Sequence, residues 1–225
     1  MLNNNLLMVS YIRGYIISNN LPYDNNILKK DLFQLSSNEI DALINYGKKN
    51  NLKLYYFKDK ELLPRVKTVL GFLKNIYPQT ILDVGSGRGA FLFPLLIEFE
   101  NIQVTSLEIL EKRIKLLENI SIGGVKNLEV KSLDITKYNY DNNLYDCVTL
   151  LEVLEHIPNV TEAIKNAIYL TKKYIIITVP NKEDDNPEHI HLLTEKKLTE
   201  IFNTFNITNL KFKNLNNHLL LIATK

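Results

Sequence analysis

The stretch Ile81-Leu82-Asp83-Val84-Gly85-Ser86-Gly87-Arg88-Gly89-Ala90-Phe91-Leu92 constrains this chain more than any other. It reads as a short buried strand, a glycine turn and the opening of a helix. Asp83 closes the strand, and Gly85, Gly87 and Gly89 follow at alternate positions. A residue without a Cβ lets the backbone bend tightly and lets a ligand approach closer than a side chain would permit. A helix that begins at such a turn points unpaired N–H groups at whatever sits there. The segment predicts a strand–loop–helix unit that binds a small nucleoside-bearing ligand.

From Thr80 onward apolar strands and amphipathic helices alternate, which predicts an α/β fold. The strands are read at Ile81–Val84, Gln103–Leu107, Leu128–Leu133, Asp146–Leu151 and Tyr174–Val179, with two more near Ile207–Phe212 and His218–Ala223. Tyr174–Val179 is apolar almost throughout, as a strand covered on both faces should be. Helices are expected over residues 89–98, 110–119, 160–171 and 194–205. Pro94 falls inside the first of these and removes a helical hydrogen bond, so a kink or a late helix start is expected there.

Residues 1–60 read as a helical extension or lid ahead of a domain spanning 61–225. Asn5–Ile17 is apolar on every face, the mark of a helix docked on other structure. Ser36 and Glu39 are spaced as a capping box, and Ile40, Leu43, Ile44 and Gly47 line one face of the helix that follows. Leu52–Phe57 is read as a short strand or an extended linker. Glu61–Ile76 is read as a helix with Pro64 in its first turn and Val66, Val69, Leu70 and Leu73 as its buried stripe, stopped by Pro78. The pairs and runs Asn3-Asn4-Asn5, Asn25-Asn26 and Asn142-Asn143 are read as exposed turns.

Composition narrows the function classes. The chain has 225 residues, 45% of them hydrophobic, enough for one sizeable core. Its 27 basic and 25 acidic side chains leave a formal charge of +2, which gives no DNA-binding signal. The basic residues Lys58, Lys60, Arg65, Lys67 and Lys74 read as a solvated helix face. No apolar run approaches the roughly twenty residues of a membrane span, and Arg13 interrupts the apolar stretch near the N-terminus, which also lacks a cleavage site. Cys147 is the only cysteine, so no internal disulfide forms, and its strand position suits a buried reduced thiol. A cytoplasmic location is expected.

The glycine spacing separates two ligand classes. The dinucleotide fingerprint is G-x-G-x-x-G; here the third glycine comes one position early, and Asp83 stands two positions ahead of the first. This D-x-G-x-G-x-G run resembles motif I of the class I S-adenosylmethionine-dependent methyltransferases. Glu108 at the end of the second strand, Asp134-Ile135 after the third, and Glu152-Val153-Leu154-Glu155-His156-Ile157-Pro158 after the fourth carry the same resemblance, which covers about Thr80–Lys225. It implies a Rossmann-like, mostly parallel seven-stranded sheet with helices on both faces and a closing antiparallel pair. It implies S-adenosyl-L-methionine as cofactor, with Asp83, Gly85, Ser86, Gly87 and Gly89 at the methionine and ribose part. By the same resemblance, Glu108 lies at the ribose hydroxyls, Asp134 and Ile135 at the adenine, and Leu151 and Glu152 at the fourth strand end.

The catalytic candidates are Glu152, Glu155, His156 and His189. Were the first three on one helical turn, their i, i+3, i+4 spacing would place them on one side. His189 lies in the loop after the fifth strand, at the rim where adjacent strand ends converge. E-x-x-E-H with a downstream histidine resembles the metal site of small-RNA 2′-O-methyltransferases, and something close to it occurs in ubiquinone-pathway O-methyltransferases. Two readings stay open: a divalent metal held by these groups, or His156 or Glu155 acting as base or acceptor-orienting group with the others ordering their loops. His191 is the weaker loop histidine, and His218 in a closing strand reads as structural. The expected activity is methyl transfer to an O or N of a small molecule. Its alternatives are a metal-assisted RNA 2′-O-methyltransferase, a nicotinamide-dependent oxidoreductase with a broken fingerprint, and a non-catalytic cofactor-binding module.

Overall fold

A computed structural model describes residues 1–58, 61–138, 144–183 and 185–225. The expected turn at Asn142-Asn143, Lys60 of the basic run and Asp184 of the loop after the fifth strand lie outside these described residues. In chain order the helices are α1 (Asn4–Ser18), α2 (Asn25–Lys29), α3 (Ser37–Lys49), α4 (Pro64–Ile76), α5 (Leu92–Glu98), α6 (Glu111–Ile122), α7 (Val160–Leu170) and α8 (Glu195–Asn203). The strands are β1 (Thr80–Val84), β2 (Gln103–Glu108), β3 (Leu128–Ser132), β4 (Tyr145–Leu151), β5 (Thr171–Pro180), β6 (Asn209–Leu215) and β7 (His218–Thr224). They form one sheet in the order β3-β2-β1-β4-β5-β7-β6, mostly parallel with an antiparallel closing pair, the α/β architecture expected. Among the described residues no helix is long and apolar enough to cross a membrane.

The chain divides into two compact units, Met1–Glu61 with Gly87–Ser132, and Leu62–Ser86 with Leu133–Lys225. In the first unit α1 starts at Asn3, whose side chain accepts the Leu6 N–H at 3.0 Å. Its residues Leu7, Val9, Ile12 and Ile16 are all fully buried, and it packs against α3 and α6. The packing with α6 brings backbones together. A Cβ on Gly14 would lie 1.9 Å from the Asn119 carbonyl oxygen, and one on Gly123 1.7 Å from that of Ser10. Ser36 and Glu39 close the expected capping box of α3. With the backbone N–H of Ser36 and then Lys30 as donors, the Glu39 carboxyl is held down at about 2. Strands β2 and β3 run parallel, Val104 opposite Leu128.

Two expectations in this unit are corrected, and two positions gain detail. Leu54–Phe57 is a 3-10 turn, neither strand nor extended linker, and Phe57 turns inward to stack on Phe93 with ring centroids 5.1 Å apart. Helix α5 begins late, at Leu92, one of the two outcomes expected from Pro94, which this places in the first turn where N–H groups have no intrahelical partner anyway. The asparagine runs start helices: Asn3 caps α1, and Asn25-Asn26 open α2 behind Asp24. Asparagine is as favourable at an N-cap as in a turn, so its abundance alone does not distinguish the two. Arg13 is buried, its Nη2 donating to the carbonyls of Leu28 at 2.5 Å and Lys30 at 2.6 Å.

In the second unit α4 starts at Pro64 itself, three residues later than expected, with Val66, Val69, Leu70 and Leu73 buried as read. Tyr77 ends it in the left-handed region (φ 40°) just before Pro78. β1, β4 and β5 are parallel neighbours, and β7 pairs antiparallel with both β5 and β6. Since β1 and β4 are adjacent, their carboxyl ends open together at the point where strand order reverses, the usual ligand position of such sheets.

The helix crossing yields a stability test. Gly14→Ala forces a methyl into the α6 backbone and is expected to destabilise by about 2–3 kcal/mol. Gly71→Ala, an exposed mid-helix position with nothing within 4 Å of the added Cβ, is expected to stabilise by about 0.5–1 kcal/mol. Urea unfolding of both variants measures the contrast, and equal effects would refute the close approach.

Candidate active site

The second unit sets the start of the glycine loop. Asp83 is only 2% exposed. Its two oxygens accept hydrogen bonds from Thr149 Oγ1 at 2.7 Å and Ser86 Oγ at 2.6 Å. Thr149 is the residue opposite Asp83 in the β1–β4 register, so the bond follows from strand pairing. Gly85 then takes φ +68°, and a Cβ there would lie 2.7 Å from Val153 Cγ2. Both constraints require glycine. Asp134 caps the turn Ile135–Lys137 by accepting from the backbone N and hydroxyl of Thr136 at 2.9 and 2.8 Å, while Ile135 is buried.

The first unit holds the rest of the loop and the β2 end. Gly87 has φ +61°, and its N–H donates to Glu108 Oε2 at 2.9 Å. Glu108 Oε1 accepts from the N–H groups of Ile109 at 2.9 Å and Leu110 at 3.1 Å. Arg113 Nη1 lies 3.8 Å from the same carboxylate. The apolar side chains of Ile109 and Leu110 beside it are exposed. Gly89 has φ +83°, and a Cβ there would sit 2.4 Å from the Phe93 ring.

Glu152, Glu155 and His156 do not share one helical face. Glu152 itself sits in the left-handed region with φ +59°, and only Leu154–His156 form a 3-10 turn. The Glu152 carboxylate turns to Thr178 Oγ1 at 2.8 Å and His218 Nε2 at 2.9 Å, with Arg65 Nε at 3.7 Å. Glu155 and His156 go the other way and meet His189. One ligand atom from each of Glu155, His156 and His189 lies within 4.8 Å of the others, and the two imidazoles stand edge to face, 4.9 Å apart.

A clip of hydrogen bonds assembles this trio. The Ile190 N–H donates to the Glu155 carbonyl at 2.9 Å, and His156 Nδ1 faces the Glu188 carbonyl oxygen at 2.9 Å. A carbonyl only accepts, so Nδ1 carries the hydrogen and the neutral ring keeps its lone pair on Nε2. His191 Nε2 meets the Pro158 carbonyl at 3.3 Å, further along the same seam.

Two partners escaped the sequence reading. His218, read as structural, is a partner of Glu152, and Arg65, read as part of a solvated face, is a partly buried second one. The signal for His218 was its place at the start of the closing strand. There the antiparallel register sets it opposite Pro180, two residues beyond Thr178. Leu151 ends β4 opposite Thr178.

The buried carboxylate gives a second prediction. Thr149→Val keeps the side-chain shape and removes the donor to Asp83. It is expected to cost about 2 kcal/mol, the scale of a hydrogen bond to a charged group. Guanidinium unfolding checks it; a change under about 0.5 kcal/mol would show that the bond contributes nothing net.

A family model described as a methyltransferase domain matches residues 56–211. A probable (S)-tetrahydroprotoberberine N-methyltransferase 2 from Papaver bracteatum is 31% identical over 88 residues, 39% of this chain and 24% of that relative. A ubiquinone biosynthesis O-methyltransferase from Rickettsia prowazekii is 33% identical over 110 residues, 46% of this chain and 42% of that relative. The chain thus spans less than half the length of these two curated relatives. Among solved structures, the magnesium protoporphyrin IX methyltransferase from Synechocystis PCC 6803 with bound SAM superposes with a TM-score of 0.54 at 15% identity. That superposition covers all of this chain and 98% of the other.

Proposed function

We propose that this chain, which belongs to the methyltransferase-domain family, moves a methyl group from S-adenosylmethionine to an O or N of a small-molecule acceptor. The observation that carries the reading is the Glu108 carboxylate bonded to the N–H of Gly87 in a loop of positive-φ glycines. A carboxylate has about four acceptor directions, and Glu108 uses three on backbone N–H groups, which leaves acceptor capacity for a ribose hydroxyl. Side chains at Gly85 and Gly89 would collide with Val153 and the Phe93 ring, so the loop keeps a bare backbone whose N–H groups stay accessible to such a ligand. The named relatives act as O- and N-methyltransferases, and the Synechocystis structure holds SAM, in keeping with the same cofactor here.

We assign the roles unit by unit. In the first, Gly87, Gly89 and Glu108 serve the ribose side, with Ile109 as apolar neighbour. In the second, Asp83, Gly85 and Ser86 shape the loop, Asp134 and Ile135 serve the adenine, and Leu151 and Glu152 the β4 end. The bound cofactor supplies a methyl group on a cationic sulfur, already activated as an electrophile. What remains for the protein is to align the acceptor and exclude water. His156, with its lone pair on Nε2, takes the proton that a hydroxyl acceptor must lose. Residues 1–60 are read as a helical extension of the catalytic domain 61–225. A cytoplasmic setting agrees with the fully buried Cys147 thiol, whose pKa burial pushes well up.

These roles predict a split. Gly85→Val is expected to weaken S-adenosylhomocysteine binding by more than about 100-fold, because the added side chain meets Val153 at a positive φ. His156→Ala is expected to leave that binding within about threefold while cutting turnover by about 10²–10⁴. Titration calorimetry and product mass spectrometry on variants with native circular dichroism check both. Parallel loss of binding in the two variants would refute the division.

A second reading follows from the cluster itself. Glu155, His156 and His189 form an N, N, O donor set on one side, which fits a divalent ion with open positions for an acceptor's oxygens. Glu152, committed to His218 and Thr178, would not be a ligand. If an ion is held, a chelator is expected to abolish turnover and added divalent metal to restore it. Full activity after chelation, with no metal detected by mass spectrometry, would end this reading and leave His156 as base.

A further inference from the structure

In the first unit, α1, α6 and the turn at Leu54–Phe57 border a cavity of about 570 Å³, within the size range of small-molecule sites. Neither Gly87 nor Glu108 lines it. Tyr11, Tyr15 and Tyr56 supply aromatic walls, and five cations stand around them against one carboxylate, Glu118. Two of the five are already engaged: Arg113 faces Glu108 at 3.8 Å, and Lys115 pairs with Glu111 at 2.5 Å. Among the described residues no carboxylate pairs with the other three, Lys53, Arg88 and Lys112.

The field of these three cations converges on Tyr56. The Arg88 guanidinium lies 5.9 Å from the ring centroid. A hydrogen bond from the Tyr55 hydroxyl pulls the Tyr56 phenol below its ordinary pKa, and the charges of Arg88, Lys53 and Lys112 pull the same way. The cavity wall thus carries more positive than negative charge. Like charges gathered around a concave wall repel one another, and an anion between them would relieve that repulsion. Arginine offers a planar fork to phosphate oxygens, lysine a compact charge, and tyrosine a flat apolar face with a polar tip.

We propose that this cavity binds a phosphate-bearing small molecule, its phosphate received by Lys53, Arg88 and Lys112 and its apolar body lying against Tyr11, Tyr15 and Tyr56. The site is independent of the methyl-transfer reading.

Titration calorimetry of the full chain with phenyl phosphate and with inorganic phosphate tests the site. Saturable one-to-one binding is expected, tighter for phenyl phosphate and retained under saturating S-adenosylhomocysteine. Lys53→Gln and Lys112→Gln should each weaken it about tenfold, the loss of one charge-assisted contact. Tyr56→Ala should weaken phenyl phosphate more than inorganic phosphate. Lys115→Gln, whose charge already faces Glu111, should change it less than about twofold. Absence of saturable binding would overturn the proposal. So would equal weakening by Lys115→Gln and Lys112→Gln, the sign of diffuse attraction, or displacement by S-adenosylhomocysteine, the sign that the cavity belongs to the cofactor.

Discussion

The carboxylate of Asp83 sits inside the sheet, where a charge survives only if its oxygens are hydrogen-bonded. Thr149 and Ser86 meet that need, and each fixes something different. The Thr149 bond crosses from β1 to β4 and reinforces the pairing at the point where strand order reverses. The Ser86 bond reaches back three residues and sets where the chain leaves the strand. Gly85, caught between them and pressed against Val153, has one backbone conformation available, and a side chain would destroy it. Position and shape of the loop thus trace to one buried acid. Replacing Asp83 by an apolar residue would spare the desolvation but lose both anchors.

Glu152 shows a different use of strain. A non-glycine residue in the left-handed region costs about 1–3 kcal/mol and persists only where its surroundings over-determine it. Here the Thr178 carbonyl takes its N–H at 2.9 Å, while Thr178 Oγ1 and His218 hold its carboxylate. The reversal at this one residue sends its carboxylate toward β5 and β7 and lets the following turn carry Glu155 and His156 elsewhere. Two carboxylates three residues apart are thereby kept from competing for one site.

Most of the fold was legible because its signals are periodic. The buried stripe of α4, the capping box of α3 and the apolar run of β5 each follow from spacing, and each appears where spacing put it. What was not legible depends on a single dihedral or on tertiary register. E-x-x-E-H invites a helical wheel, and only the left-handed Glu152 shows that the wheel does not apply. His218 carries no local pattern; its partner is defined by the antiparallel closing pair. Phe57 made the 54–57 segment look like a strand because β propensity cannot say which aromatic ring will find a partner to stack on. Arg13 looked like an interruption and is instead a buried cross-link to two carbonyls, which no charge count reveals.

The seam between the loop at Glu188–Ile190 and the turn at Glu155–His156 bears on both readings of the histidine cluster. A free imidazole exchanges its proton between two nitrogens, so some of its encounters with an acceptor would present the wrong one. The Glu188 carbonyl removes that ambiguity by taking the Nδ1 hydrogen, and the Ile190–Glu155 backbone bond keeps the two segments in step. A base and a metal ligand need the same thing at this point, an Nε2 lone pair aimed in one direction. What separates the two roles is how many neighbours share that aim. For a base, Glu155 and His189 need only stabilise the imidazolium that forms, and a buried carboxylate close by serves that purpose. For a metal, all three must offer lone pairs to one point, a stricter demand than the proximity of their ligand atoms, which lie within 4.8 Å of one another. The turn and loop bring three groups together, and the number of them that share one aim is what distinguishes the two roles.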